Sequence, residues 1–157
     1  MQNTKSPTIQ NLEAAFAGES MAHIKYLWFA RQCRKAGDEA TARVFEDTAA
    51  QEMLHAFGHA ELLFADETMT PAKCLQYAIE GETHEYTEMY PKFRHEAMQE
   101  GHDAAVAEID EQIAESKEHA EMFRAVLDKA AKRFAALAKV EEKHAKHYQA
   151  QKDAISA

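Results

Sequence analysis

Four groups of side chains in this sequence could hold a metal. Glu19 is a carboxylate set among apolar neighbours in Ala15-Phe16-Ala17-Gly18-Glu19-Ser20. Glu52 and His55 form a Glu-x-x-His pair, Glu82 and Glu85 a Glu-x-x-Glu pair, and Glu141 and His144 a second Glu-x-x-His pair. Residues three apart on a helix are neighbours on one face, so each pair can reach one point in space. One Glu-x-x-His is weak evidence in a chain with 27 acidic residues and 9 histidines. The combined set is more demanding, because di-iron helical bundles take a Glu from each of two helices and Glu-x-x-His from the other two.

Charge balance and ligand chemistry agree with that pattern. Five inward carboxylates without cations would be costly or would have to protonate, and two divalent ions offset most of that charge. Mixed carboxylate and imidazole ligands suit iron or manganese, and the lack of a thiolate argues against structural zinc. The two cysteines, Cys33 and Cys74, are isolated and form no Cys-x-x-Cys pair, which excludes a zinc ribbon, a rubredoxin knuckle and a thioredoxin motif within this sequence. They are expected to be buried thiols or a chance pair. The net charge of −9 disfavours nucleic acid as a partner. No apolar run reaches the length of a membrane span, so a cytoplasmic location is expected.

Helices must carry these groups. With 5 Gly and 3 Pro in 157 residues, punctuation is too sparse for an all-β fold. Ser6-Pro7 reads as a helix start and Gly37 as its stop; Asp38 reads as the cap of a second helix ending near Ala65. Residues 66–70 read as a loop, and Thr70-Pro71 starts a third helix that runs to Gly101 with a kink at Pro91. From His102 to about Gln151 the pattern is helical throughout, either as one very long helix or as two joined near Asp128. Met21, Met53, Met89, Met98 and Met122 are expected to fill the core. His23, His95, His102 and His147 are expected at the surface; His59 lies one turn after His55 in the same groove, and His84 points away from the metals.

Several segments resemble the rubrerythrins. Asn11 to Ser20, followed by Tyr26, resembles their first helix, and Gln51 to Ala56 their second-helix ligand segment. Gly81-Glu82-Thr83-His84-Glu85-Tyr86-Thr87-Glu88-Met89-Tyr90-Pro91 is the most specific match, and Arg133 to His144 resembles the final helix. The resemblance implies an all-α, ferritin-like four-helix bundle with an additional C-terminal helical segment, residues 1–157 forming a single di-iron domain. It implies Glu19, Glu52, Glu82, Glu85, Glu141 and His144 as iron ligands. It also implies that His55 and Glu85 alternate on one iron as its oxidation state changes, and that Tyr26 and Tyr90 donate hydrogen bonds to the carboxylates. The alternative role for both tyrosines is core packing.

Two departures from the family stand out. Many rubrerythrins carry a rubredoxin domain with four cysteines, which is missing from this sequence, so electrons are expected from another protein or a small molecule. The last-helix motif also occurs twice. The segment from Gly101 to Phe123 fits the family's spacing from Pro91, but its ligand Glu falls on Ser116, with the His on His119 and Glu115 one turn earlier. Glu141 and His144 keep both ligand types and are preferred, with Glu115 and His119 as the alternative. His119 and His144 are 25 residues apart, about 37 Å along a continuous helix, so they cannot serve one site in one subunit.

Three functions are compatible with these residues. The leading one, which takes its substrate from the resemblance, is a donor-dependent or NAD(P)H-linked peroxidase that reduces hydrogen peroxide in oxidative-stress protection. Its partners would be an external electron donor such as a rubredoxin and a second copy of the chain in a homodimer with exchanged helices. The alternatives are a ferritin-like iron-binding, ferroxidase or storage protein, and a helical interaction module with a degenerate site.

Overall fold

The computed structural model describes residues 6–64 and 68–155, and every regular element among them is helical. The expected end of the second helix at Ala65 and the start of the expected loop, residues 66–67, lie outside the described residues. The chain divides into two compact units at Met69/Thr70.

The first unit is a helical hairpin of α1 (Pro7–Lys35) and α2 (Glu39–Leu63). Ser6 caps α1 by accepting from the Ile9 N–H, and Pro7 supplies a preset φ where no N–H donor is needed. Gly37, at φ +82°, ends the helix in a left-handed turn, with the Asp38 N–H bonded to the Cys33 carbonyl at 2.9 Å. Asp38 then accepts from the Thr41 N–H at 2.9 Å and starts α2. The two helices meet through small side chains: Ala30, Ala42, Ala49 and Ala56 are buried. An aromatic cluster of Tyr26, Phe29 and Phe45 fills the end nearest the turn, with ring centroids 5.5–6.3 Å apart. Arg34 clips the turn by pairing with both Glu39 and Glu46, which raises the Arg34 pKa and lowers those of the two glutamates.

The second unit contains α3 (Pro71–His84), a π turn (Glu85–Met89), α4 (Tyr90–Glu100) and α5 (Asp103–Ile155). Thr70 caps α3 through the Lys73 N–H. The disruption expected at Pro91 takes the form of the π turn just before it, closed by a Tyr90 N–H to Glu85 carbonyl bond. Proline has no N–H with which to continue the α pattern, and one-residue π insertions are common at functional sites. Gly101, at φ +74°, closes α4, with the His102 N–H reaching the Ala97 carbonyl at 3.0 Å.

Of the two readings left open for the last segment, the structure has one continuous helix of 53 residues, α5. Residues 131–155 of it are exposed. Arg94 pairs with Asp110 at 2.5 and 3.0 Å, and Arg124 donates to Thr83 at 2.7 Å, so both α4 and α3 are tied to α5.

Three expectations are corrected here. Met21, Met53, Met98 and Met122 are 40–64% exposed rather than core fillers, because the helices pack through alanines. Cys74 is exposed and Cys33 half-buried, and both are free thiols. His23 is half-buried and hydrogen-bonded rather than solvated.

Candidate metal centre

Each unit carries its own group of ligand-type side chains. In the first, Glu19 projects from α1 and Glu52 and His55 from α2. One ligand atom from each lies within 4.8 Å of the other two. The alanine contacts bring the two helices close enough for this to happen. His55 Nδ1 is 2.9 Å from Glu52 Oε2, and since an ionised carboxylate only accepts, Nδ1 carries the hydrogen. That hydrogen bond restrains the ring beside Glu52. Glu52 is 17% exposed and His55 58% exposed. One turn from Glu19, His23 donates from Nδ1 to the Ala49 carbonyl at 2.7 Å.

In the second unit, Glu82 and Glu85 face α5. Glu82 Oε1 lies 3.4 Å from His119 Nδ1. Its other oxygen, Oε2, is buried and has no hydrogen-bond partner among the described residues. A carboxylate oxygen shut from water without a donor is costly to leave unsatisfied, and a cation satisfies it. The donor set therefore fits a metal ion. Glu85 Oε2 accepts from the Ser116 hydroxyl at 2.9 Å. Tyr90 has its pKa raised, first by burial and then by the negative charges of Glu85, Glu82 and Glu108.

Residues 10–127 match the rubrerythrin family model. The chain belongs to the rubrerythrin family. Its fold is the all-α, ferritin-like helical fold of that family. It is 37% identical over 131 residues to nigerythrin of Nitratidesulfovibrio vulgaris, covering 75% of this chain and 64% of that protein. It is 37% identical over 134 residues to a rubrerythrin of Porphyromonas gingivalis, covering 78% and 66%. A solved structure of nigerythrin in its fully reduced, all-ferrous state aligns at 31% identity and a TM-score of 0.40, covering 83% of this chain and 70% of that one. The chain thus spans 64–66% of the length of the two curated relatives.

The rubrerythrin match ends at residue 127, before the Glu141–His144 pair. Those two side chains face each other at 3.7 Å on α5 and are 75% and 56% exposed. Glu115 is exposed. Of the other histidines, His84 pairs with Glu88 at 3.4 Å on the outer face, as expected. His95, His102 and His147 are exposed and His59 is half-buried. Tyr26 sits in the aromatic cluster with Phe29 and Phe45.

Sequence reasoning missed the part played by Ser116 and the Arg124–Thr83 bond. A small-residue pair one turn apart, Ser116 and Ala120, was the available signal for close helix approach, and both are buried.

Among the described residues no helix is long and apolar enough to cross a membrane.

Proposed function

We propose that the two ligand groups serve one di-iron centre within a single ferritin-like domain, and that the protein is a cytoplasmic peroxidase. It would reduce hydrogen peroxide to two waters, taking up two electrons and two protons. The observation that carries this reading is the convergence of Glu19, Glu52 and His55 within 4.8 Å. The buried, unpartnered Glu82 Oε2 supports it from the second unit.

The proposed ligands are Glu19, Glu52, His55, Glu82 and Glu85, with a histidine from α5. For that histidine the geometry favours His119, 3.4 Å from Glu82, over His144. This reverses the preference drawn from the intact Glu141–His144 motif, which stays as the alternative. A ferrous pair would supply the two electrons needed to break an O–O bond.

The chain's own groups have separable tasks. The carboxylates hold charge and position. His55, partly exposed and hydrogen-bonded to Glu52, can hold a proton near the reacting oxygen and release it. Tyr90, a neutral phenol close enough to Glu85 and Glu82 to feel their charge, can donate a hydrogen bond toward the carboxylates.

Electrons would come from an external donor such as a rubredoxin, fed ultimately by NAD(P)H. A homodimer is the proposed assembly, since Ile24, Trp28, Phe57 and Leu62 are 55–67% exposed in the single chain and suit a second copy. Exchange of units between copies would satisfy the same ligand set.

The test is stopped-flow oxidation of the ferrous-loaded protein by peroxide and by dioxygen separately. The proposal expects peroxide to react much faster. Faster reaction with dioxygen, with continued iron uptake beyond two per chain, would instead support a ferroxidase or storage protein.

A further inference from the structure

Two histidines in the chain follow a Glu by three residues, Glu52…His55 and Glu141…His144, and Ser116…His119 has the same spacing. The last has a hydroxyl where the other two have a carboxylate. Ser116 is 4% exposed, and its Oγ–H donates to Glu85 Oε2 at 2.9 Å across the α3–α5 packing. That is an unusual use of a helical hydroxyl. Ser and Thr inside helices commonly donate back to the carbonyl four residues earlier. In this same chain Ser20 does so to Phe16, Thr48 to Val44 and Thr87 to Thr83, at 2.6–2.8 Å. Ser116 instead bonds a side chain 31 residues away.

We infer that Ser116 is a positioning residue, whose hydroxyl holds the Glu85 carboxylate in the orientation that the metal-binding group of Glu82, Glu85 and His119 requires. The inference rests on the di-iron reading. By occupying Oε2, the hydroxyl restricts rotation of Glu85 and leaves Oε1 as its freer oxygen. A hydroxyl here also leaves this group one negative charge short of what a Glu would give. The metal held by the second unit is therefore bound less tightly than a Glu at position 116 would allow.

The test is titration of the full-length metal-free protein with Co²⁺, whose visible bands report binding step by step. The parent chain should take two Co²⁺. Ser116→Ala removes only the oxygen and should weaken one of the two steps about tenfold, the size expected for one hydrogen bond to a charged group, with the other step unchanged. Ser116→Thr keeps the hydroxyl and should bind as the parent does. Circular dichroism melting checks that each variant folds.

Equal binding by Ser116→Ala and the parent would overturn the inference. So would equal weakening of both steps, or a Ser116→Thr variant as weak as Ser116→Ala, since each would reduce Ser116 to a small residue needed for packing. A parent chain that binds no Co²⁺ would sink the di-iron reading itself, which is a distinct result.

Discussion

Ending the chain after Leu127 separates the two candidate histidines of α5. The cut removes residues 128–155 of the helix, about 42 Å of it at 1.5 Å per residue. None of these residues is buried, and within the stretch only Ala130 is half-buried. The segment has seven Lys or Arg and four Asp or Glu, so 7 − 4 = +3, and the remaining chain changes from −9 to −12. Losing an exposed helical extension should cost less than about 1 kcal/mol, a fall in Tm within roughly 4 °C. If His119 is the ligand, iron bound per chain is the same in the truncated and full-length proteins. Anaerobic ferrous loading followed by colorimetric iron counting measures this, with His144→Ala in the full chain as a companion that leaves the helix intact. Loss of iron from both the truncated protein and His144→Ala would refute the assignment to His119 and restore Glu141 and His144.

Glu82→Gln should leave the Tm of the metal-free protein unchanged or raise it, because it neutralises a buried, unpartnered oxygen. In Co²⁺ titration the same variant should lose more affinity than the roughly 10–100-fold that removal of an outer partner costs. Gly101→Ala should destabilise by about 1 kcal/mol, a few degrees in thermal melting, through the left-handed conformation alone, since a Cβ there meets nothing within 4 Å. Glu39, Glu46 and Asp110 have folded pKa values below their unfolded ones, through hydrogen bonds from Arg34 or Arg94. Their contribution is complete above the unfolded values of 4.5 and 3.8 and is lost as pH falls through the depressed folded values. Melting curves down the acid range should show Tm falling, with a shallower fall in Arg34→Gln and in high salt.

Helix ends were legible because their signals are local. Ser6-Pro7, Gly37, Asp38, Thr70-Pro71 and Gly101 each act through one cap or one backbone conformation, and each marks a boundary in the structure. The π turn was not legible, since Pro91 announces that the α pattern must break but not how the freed groups are re-bonded. Nor was the continuity of α5: Asp128 is a good cap and also tolerable inside a helix. The methionines misled because hydrophobic spacing finds a helix's apolar face without telling what covers it. Alanines close the hairpin and leave Met21 and Met53 outside. In the candidate site, Glu19, Glu52 and His55 were readable from spacing and do converge. The choice between His119 and His144 was not, because two similar motifs on one face of one helix differ only in which neighbour lies opposite, and that is a tertiary fact.

The proposed di-iron centre takes ligands from both groups, Glu19, Glu52 and His55 and Glu82, Glu85 and His119. Iron counted per chain after anaerobic loading tests it most directly, in the parent protein and in Glu52→Ala and Glu82→Ala, which disable one unit each. The expected result is two irons in the parent and fewer than two in both variants. Two irons retained in either variant, or fewer than two in the parent, would contradict it.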